Sequence, residues 1–462
     1  MTTTAPDTAA TPPSRIAIRT CPLCEAGCGL EITVRDDTPT SAGGARSGTV
    51  LRIRGDMNDV FSHGYICPKG STLKQLHEDP DRLHLPLVKR DGVHVEVSWE
   101  EAWREVDRGL TAVIAAHGRE SIGTYLGNPG AHNLSAITYN RVLLSAIGSR
   151  QRFSASSVDQ IPKQVSAGLM FGTAISVPVP DLDRTDYLLM LGANPYASNG
   201  SLATAPDWPG RLEAIRARGG KVVVVDPRRS RSAQEADEWL AVRPGTDALL
   251  LAAMVTAVFE AGRAEPGEHL RGHLNGLEDV HAALAVFTPE AVERATGIDA
   301  ATIRRVALEL CDAQCAAVYG RIGTTTVSFG TTASWLIDVL NVVTGNLDIE
   351  GGAMFPLPVA AGPTTRGKPG VGKGFRIGRG KTRVRGFPEA LGEYPAALMA
   401  EEITTPGAGQ IRAMVVVGGN PVMSTPNSEQ LANAFDSLDF MVSVDIYLNE
   451  TSRHANVILP SP

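Results

Sequence analysis

Four cysteines near the N-terminus constrain the fold of this chain more than any other feature of its sequence. Cys21, Cys24 and Cys28 have the spacing C-x2-C-x3-C, and Cys67 opens the stretch Cys67-Pro68-Lys69-Gly70. Three thiolates on one tight loop and one distant thiolate can hold the corners of an iron–sulfur cube. The alternative is a structural zinc site, but zinc sites of four cysteines more often pair two short Cys-x2-Cys knuckles. The grouping of three and one therefore favours a [4Fe–4S] cluster.

The other two cysteines, Cys311 and Cys315, lie within an expected helix at 303–316. They could form a ligand pair. Free cysteine is among the most buried residue types, however, so small core residues are the favoured interpretation. Six cysteines in 462 residues do not indicate a disulfide framework.

Length and charge limit the classes of protein that remain. A chain of 462 residues is too long for one compact core, so several domains are expected. The net charge of -7 argues against a nucleic-acid partner. We find no run of about 18 apolar residues that could span a bilayer. Residues 1–14 are expected to form a disordered tail without a secretory or twin-arginine signal, which makes a cytoplasmic location the default.

The middle of the chain alternates apolar strands with helices, which is typical of a mostly parallel α/β sheet. The expected strands are Tyr187–Leu191, Val222–Val225 and Ala317–Tyr319, and the expected helices include 211–218 and 248–260, the second capped by Asp247. A partial internal repeat is also visible. The order strand, Gly-small-Asn-Pro, helix, strand, Asp occurs at 187–226 and again at 414–445. Two similar half-sites fit a cofactor with two similar halves.

The repeated elements lie at the carboxyl ends of strands, where open parallel sheets bind ligands. Glycine lets the backbone approach a phosphate closely. Asp226 and Asp445 each end the next strand and can accept hydrogen bonds from a ribose or a guanine, and Arg228 can add charge for a phosphate. A single Gly-Asn-Pro could be only a turn. Two in matching frames favour a nucleotide site, although the motifs of nicotinamide-binding and triphosphatase sites are missing from the sequence.

At this point the residues resemble a known family. The four cysteines with Lys69 resemble the cluster domain of prokaryotic molybdopterin oxidoreductases, which include formate dehydrogenases, nitrate reductases and dimethyl sulfoxide reductases. Stretches that resemble the pterin–nucleotide motifs of this family are Leu191-Gly192-Ala193-Asn194-Pro195, Asp226-Pro227-Arg228, Thr344-Gly345-Asn346, Gly351-Gly352 and Gly418-Gly419-Asn420-Pro421. Residues 454–460 resemble the end of its second nucleotide-binding domain.

The resemblance implies an α/β fold with a small N-terminal iron–sulfur domain and two α/β domains, whose mostly parallel sheets are related by pseudo-symmetry. The implied domains are 15–76 for the [4Fe–4S] cluster, 77–130 with 342–462 for the first pterin nucleotide half, and 131–341 for the second. The family normally continues into a fourth domain that helps to bind both nucleotides. This chain stops at Pro462, just where that domain should begin, so we expect the N-terminal part of a longer enzyme.

The implied cofactors are a [4Fe–4S] cluster and a molybdenum or tungsten ion held by two molybdopterin guanine dinucleotides. The implied partners are a small-molecule substrate and an electron-transfer protein or subunit. The candidate cofactor-binding residues are Lys69, Gly192, Asn194, Pro195, Asp226, Arg228, Gly245, Asp247, Gly323, Gly418, Asn420 and Asp445. Lys69 would lie on the electron path between the cluster and one pterin; the alternative is a solvated surface lysine.

Members of the family supply one protein ligand to the metal. When this sequence is matched to the family's ligand segment, Asp159 falls at the ligand position. An oxygen ligand suits a hard, high-valent metal. Ser156 and Ser157 are the alternative ligands if this correspondence is shifted by a few residues. Asp159 would then be a loop or cap residue. Formate dehydrogenases carry Cys or selenocysteine followed by His, whereas Gln160 follows Asp159 here. The substrate therefore stays open.

Two further side chains are candidates for the substrate funnel. His132, which precedes Asn133, could move protons, or it could be a hydrogen-bonded structural histidine. Arg321 could clamp an anionic substrate or a pterin phosphate, or it could be an ordinary arginine at a strand end.

Three functions follow from the resemblance. The leading one is a two-electron redox enzyme that passes electrons through the cluster to a partner. The alternatives are an electron-transfer or scaffold subunit that has lost the metal, and a non-redox hydratase that uses the same cofactor.

Overall fold

The computed structural model describes residues 14–36, 48–199, 203, 205–356 and 375–461. The tail expected at 1–14 lies outside these residues except for Ser14. The chain divides into two compact units, one of residues 1–82 with 199–207 and the other of residues 83–198 with 208–462.

The first unit contains a three-stranded antiparallel sheet in the order β1-β2-β3. Its elements are β1 (Ser14–Thr20), β2 (Gly29–Asp36), β3 (Gly48–Gly55), α1 (Pro68–Ser71) and α2 (Leu73–His77). Its small core consists of Cys21, Ala26, Cys28 and Leu30, with Leu73 among the partly buried residues around them. Cys21 and Cys28 are therefore part of the core of this unit and do not lie on its surface.

The second unit contains thirteen strands and fifteen α-helices among the described residues. The strands are β4 (Leu87–Arg90), β5 (Val93–Glu96), β6 (Ile122–Leu126), β7 (Arg152–Ser154), β8 (Val179–Pro180), β9 (Tyr187–Leu191), β10 (Lys221–Val225), β11 (Glu238–Leu240), β12 (Ala316–Gly320), β13 (Ala353–Met354), β14 (Ala413–Val417), β15 (Phe440–Val444) and β16 (Val457–Leu459). The helices are α3 (Trp99–His117), α4 (Leu134–Ile147), α5 (Ile161–Phe171), α6 (Pro195–Ser198), α7 (Trp208–Ala217), α8 (Arg231–Gln234), α9 (Asp247–Glu260), α10 (Leu277–Leu284), α11 (Pro289–Thr296), α12 (Ala300–Asp312), α13 (Ile322–Thr325), α14 (Gly330–Val343), α15 (Met399–Thr404), α16 (Pro421–Ser424) and α17 (Ser428–Asp436).

Two sheets organise this unit. The smaller one is parallel throughout, in the order β11-β10-β9-β12. The larger one has the order β5-β4-β16-β15-β14-β6-β7; it is parallel from β16 to β7, and β4 and β5 are antiparallel additions. The run β16-β15-β14 repeats the run β11-β10-β9 of the smaller sheet, and each run has a fourth parallel strand beside its first strand: β6, which precedes its run in the chain, and β12, which follows its run. The expected fold class, with mostly parallel sheets related by pseudo-symmetry, is therefore confirmed.

Continuous apolar runs build both sheets, as expected for strands covered on both faces. Every residue of β9 is buried. Helix α9 is apolar on nearly all sides, and Leu251 and Val255 are completely buried because α11, α12 and α14 pack around it. A helix that is hydrophobic all round is stable only inside a core.

Two expectations about helix ends are wrong. Asp247 does not cap α9, because Thr246 occupies the cap position and Asp247 is the first helical residue. Helix α12 ends at Asp312, so Cys315 lies beyond the helix and only Cys311 is on it.

The domain boundaries at 76/77, 130/131 and 341/342 stay predictions. The larger sheet combines strands from before and after the smaller sheet in the chain, and β7 belongs to it although this strand falls within the predicted 131–341 segment.

Candidate functional site

The four N-terminal cysteines gather within the first unit. The loop from Cys21 to Cys28 is closed by a hydrogen bond from the Cys21 N–H to the Cys28 carbonyl, 2.9 Å long. Gly27 has a φ of +55°, which lets the chain turn back inside this loop. Cys67 precedes α1, and a Cβ placed on Gly70 would lie 3.9 Å from the Cys21 sulfur. The Cys67 motif therefore rests against the first cysteine loop.

The thiols also share one electrostatic environment. Burial, together with smaller contributions from the charges of Cys21, Cys24 and Cys67, raises the pKa of Cys28 to about 12. Four thiolates so close together, three of them buried, repel one another unless a cationic cluster neutralises them, and iron supplies that charge. The Lys69 ammonium lowers the pKa of Cys21 and Cys24, against the larger effect of burial, so its charge lies near the same thiols. The donor set fits an iron–sulfur cluster. Within the described ranges, no three Cys, His, Asp or Glu side chains converge as they would around a single ion.

The two repeated motifs have the same backbone geometry. The Gly192 N–H donates to the Val225 carbonyl over 3.0 Å, and the Gly418 N–H donates to the Val444 carbonyl over 2.8 Å. The φ angles of the two glycines are +57° and +59°. L-residues with a side chain rarely adopt this left-handed conformation, which explains glycine at both positions.

The two asparagines of the motifs are held in the same way. The Asn194 side-chain oxygen accepts a 2.8 Å hydrogen bond from the Ser232 hydroxyl, and the Asn420 oxygen accepts one of 2.7 Å from the Thr451 hydroxyl. In each half, the backbone N–H two residues after the asparagine donates to that same hydroxyl, over 3.2 Å and 3.1 Å. The repeat thus extends to a side-chain network that sequence reasoning missed, since Ser232 and Thr451 belong to no motif.

Asp226 and Asp445, which follow the next strands of the two halves, also have matching hydrogen bonds. The N–H groups of Asp226 and Asp445 each donate over 3.2 Å to the last residue of the neighbouring strand. One side-chain oxygen of each accepts from the backbone N–H two residues later, that of Arg228 at 2.8 Å and that of Tyr447 at 3.1 Å. Burial raises the pKa of both carboxyls. They are fixed in orientation and partly desolvated, as expected for groups that accept from a bound nucleotide.

Asp247 lies close to this arrangement. It is buried at the start of α9, and burial raises its pKa, with a further contribution from the charge of Asp226. Gly245, with a φ of +80°, makes the turn that precedes the helix. Two neighbouring carboxylates can accept several N–H groups from one guanine edge.

Glycines also bring the strand ends together. A Cβ on Gly192 would lie 2.6 Å from the Gly323 Cα, and one on Gly127 would lie 1.9 Å from the Gly418 oxygen. Side chains at these positions would fill the crevice between β9 and β12 and the equivalent crevice between β14 and β6. Bare backbone at the carboxyl ends of parallel strands fits the phosphates and pterin of a dinucleotide.

The candidate metal ligand lies near these crevices. Asp159 follows the short 3-10 turn Ala155–Val158, and its carbonyl accepts a 2.6 Å hydrogen bond from the Thr325 hydroxyl. Its carboxylate accepts from the Gln160 N–H. The alternative Ser157 has a structural role, because its hydroxyl donates to the Ser154 carbonyl at 3.0 Å and accepts from the Ala396 N–H at 2.9 Å.

The two funnel candidates occupy equivalent places in the two sheets. His132 ends the turn that follows β6, and its Nε2 is buried with no hydrogen-bond partner among the described residues. Arg321 follows β12, and its N–H donates to the Leu191 carbonyl at 3.1 Å. Both residues therefore lie at the strand ends that carry the paired glycines.

Sequence reasoning missed a group of side chains around Asp159. The Ser154 hydroxyl donates to the Glu393 carboxylate. Burial raises the pKa of Tyr125, and the charges of Asp159 and Glu393 raise it further, so all three lie in one neighbourhood. Glu393 occurs in an irregular stretch with no periodicity or recognised motif, so the sequence offered no signal for it.

A second group that was missed lies between α5 and α14, which pack together. Lys163 and Asp338 are 4% and 2% exposed. Burial raises the pKa of Asp338 to about 6, and the Lys163 charge opposes that shift. Because α5 begins two residues after Asp159, this buried pair lies in the helix that follows the candidate ligand.

A four-cysteine unit and two like sheets with glycine, asparagine and carboxylate at their strand ends define an iron–sulfur protein that binds a two-part nucleotide cofactor. Residues 82–462 match the family model "Molybdopterin oxidoreductase", and residues 19–78 match "Molybdopterin oxidoreductase Fe4S4 domain". The chain belongs to the molybdopterin oxidoreductase family. This confirms the resemblance, and the two matched domains imply the [4Fe–4S] cluster, in place of zinc, together with a molybdenum or tungsten molybdopterin cofactor.

Several curated proteins are similar along nearly the whole chain. The F420-dependent formate dehydrogenase subunit alpha of Methanocaldococcus jannaschii is 25% identical over 96% of this chain and 63% of its own length. Formate dehydrogenase H of Escherichia coli is 25% identical, over 96% and 62%. The nitrate reductase of Symbiobacterium thermophilum is 27% identical, over 96% and 59%. The chain thus spans about three fifths of these relatives.

The fold also matches a solved structure. Acetylene hydratase from Pelobacter acetylenicus superposes with a TM-score of 0.77 at 20% identity, covering 96% of this chain and 62% of that one. In the part of the chain that the structure describes, no helix is both long and apolar enough to cross a membrane.

Proposed function

We propose that this chain is the cluster- and pterin-binding part of a molybdenum or tungsten oxidoreductase that oxidises or reduces a small substrate by two electrons. The electrons pass through the [4Fe–4S] cluster to an electron-transfer protein or subunit. The observation that carries the proposal is the pair of matched strand ends at Gly192 and Gly418, because two equal cradles suit two molybdopterin guanine dinucleotides.

The residues divide between the two cofactors. Cys21, Cys24, Cys28 and Cys67 ligate the cluster, and Lys69 places a positive charge beside it on the electron path. In each half the motif glycine offers bare backbone to the cofactor, the asparagine fixes the turn, and the strand-end aspartate accepts from the guanine or ribose. The residues of the two halves are Gly192, Asn194, Pro195, Asp226, Arg228, Gly245, Asp247 and Gly323, and Gly418, Asn420 and Asp445.

Asp159 is the proposed protein ligand of the metal. Thr325 and Gln160 support it because they hydrogen-bond to its carbonyl and its carboxylate, which fixes the loop. When bound, the metal and its pterins supply two-electron redox chemistry. His132 and Arg321 lie at the adjoining strand ends and are proposed to handle a proton and to hold an anionic substrate.

The test is anaerobic purification of the full-length protein, followed by metal and pterin analysis. We expect about four iron atoms and one molybdenum or tungsten per chain. Formate, nitrate and sulfur or nitrogen oxides are then screened with a viologen dye. Iron without molybdenum, tungsten or pterin would show a scaffold subunit instead. Turnover of a substrate with no electron acceptor or donor present would show a hydratase.

A further inference from the structure

An exposed loop with three large apolar side chains follows β3 in the first unit. Met57, Val60 and Phe61 are 71%, 88% and 45% exposed. Single exposed apolar residues are common on protein surfaces and need no explanation. Three within five residues are a group, and grouped apolar side chains on a surface mark an interaction site. These three side chains are called the apolar tip below.

Hydrogen bonds hold this loop in one shape. The Asp59 carboxylate accepts from the Ser62 N–H over 2.6 Å and from the Ser62 hydroxyl over 2.7 Å. The Asp56 carboxylate accepts from the Asn58 N–H over 2.9 Å. Both acidic side chains thus bond to the loop itself. A partner can bind the apolar tip without the entropy loss that ordering a flexible segment would require.

The loop packs on the segments that carry two of the cluster cysteines. The Ser62 hydroxyl accepts a 3.0 Å hydrogen bond from the N–H of Gly29, which directly follows Cys28. A Cβ on Gly29 would lie 2.5 Å from the Asp59 Cβ, so the loop touches this glycine. In the other direction the chain reaches Cys67 five residues after Ser62. The apolar tip therefore belongs to a surface that adjoins the cluster ligands.

The sheet that leads into the loop is positively charged. Strands β1, β2 and β3 contain five arginines against one glutamate and one aspartate, whereas the whole chain has a net charge of -7. Arg52 and Arg54 of β3 are exposed, and Arg54 forms a 2.6 Å ion pair with Glu31. A complementary partner surface carries carboxylates. Two copies of this chain that met through the same surface would bring arginine against arginine, which repels.

We propose that the apolar tip and the arginines of β3 dock the electron-transfer partner, a small redox protein whose contact face has carboxylates around an apolar centre. The inference rests on the proposed function. One electron passes between the cluster and the redox group of the partner at each encounter, so two encounters balance one two-electron conversion of substrate. The arginines steer the encounter, and the apolar tip excludes water from the contact.

The first test measures binding of an acidic flavodoxin to the full-length protein, purified anaerobically, by calorimetric titration. Val60→Asp places a carboxylate in the apolar tip, so we expect the Kd to rise by about tenfold or more. Val286→Asp is the matched control, because Val286 is also an exposed valine, at 71%, and lies in the second unit. Its Kd should equal that of wild type.

A charge variant keeps the proposal open to refutation if Val60→Asp does not assemble a cluster. Arg52→Glu reverses a charge beside the apolar tip, so it should weaken binding at low ionic strength and flatten the dependence of the Kd on salt. Arg104→Glu, on α3 with a side chain that is 69% exposed, is the control and should keep the wild-type salt dependence.

Electron transfer gives a second readout. Reduced flavodoxin, at concentrations below the Kd, is mixed with oxidised protein, and the flavin absorption follows the approach to redox equilibrium. A viologen dye replaces the flavodoxin in a parallel run. The ratio of the flavodoxin rate to the dye rate should fall in Val60→Asp by the factor by which the Kd rises, because a small dye needs no docking surface.

The outcomes separate the two proposals. Wild-type protein without an iron–sulfur cluster refutes the proposed function. Wild-type protein that has a cluster but the same Kd as both Val60→Asp and Arg52→Glu refutes the docking surface alone. A wild type that reacts with the dye but binds no flavodoxin refutes the carboxylate-bearing partner. A wild-type dimer that Val60→Asp dissociates, measured by light scattering, would assign the surface to a second copy and refute the proposal as well.

Discussion

At the scale of single residues, Asp338 combines deep burial with a nearby cation. It lies on α14 opposite Lys163, and burial raises its pKa from an ordinary 3.8 to about 6. The folded chain therefore binds this proton more tightly than the unfolded chain does. The stability that the neutral carboxyl contributes is complete below about pH 4 and is lost as the pH rises through about 6.

We therefore predict a pH-dependent difference between wild type and Asp338→Asn. From about pH 4 to pH 7 the free energy of unfolding of wild type should fall relative to the variant by up to about 3 kcal/mol. Chemical denaturation at a series of pH values measures it. Asp183→Asn, an exposed aspartate, should show a flat difference. A flat difference in Asp338→Asn as well would mean that the Lys163 charge cancels the burial effect.

The cysteines support a second prediction at this scale. Cys67→Ser should lose most of the iron, since a cube held by four thiolates loses one corner. Cys311→Ser, on α12 and far along the chain from the motif, should keep it. Iron analysis and visible absorption of the anaerobically purified variants measure the effect. Equal iron in both variants would exclude Cys67 as a ligand.

Residues in motifs could be predicted, and residues held only by the tertiary fold could not. The spacing of the cysteines led to thiols that lie close together in the first unit, and the two Gly-small-Asn-Pro motifs led to strand ends with matching geometry in the second. Glu393 was not predicted because its hydrogen-bond partner, Ser154, lies 239 positions away in the chain. Its neighbourhood is created by long-range packing, which no local pattern encodes.

At the scale of elements, apolar runs predicted strands better than polar residues predicted helix ends. The strand expected at Tyr187–Leu191 has those bounds in the structure, because five consecutive apolar residues have no amphipathic alternative. Asp247 was expected to cap α9, but burial beside Asp226 places it inside the first turn. In the sequence alone, an aspartate that caps a helix cannot be distinguished from an aspartate that is the first helical residue.

The strand-end glycines support a prediction about these elements. Gly192→Ala should destabilise the chain by about 3 kcal/mol or more, since it adds the cost of a left-handed residue to a clash with the Gly323 backbone. Gly297→Ala has a similar φ of +78° but open space around it, so it should cost only about 1 kcal/mol. Equilibrium denaturation of both variants measures the difference. Equal losses would show that the crevice can relax.

At the scale of the whole molecule, the two sheets of the second unit provide two equal half-sites. We predict that Asp226→Asn and Asp445→Asn each lower the guanine nucleotide released by acid hydrolysis to about half of the wild-type amount, because each aspartate serves one nucleotide. Asp439→Asn, which breaks a surface ion pair with Arg412, should leave it unchanged. Complete loss in either variant would mean that the two nucleotides bind only together.

Among the differences between the matched strand ends, the backbone N–H that orients the aspartate belongs to Arg228 in one half and to Tyr447 in the other. Because that residue carries a guanidinium in one half and a phenol in the other, the two half-sites are chemically distinguishable although their backbones match.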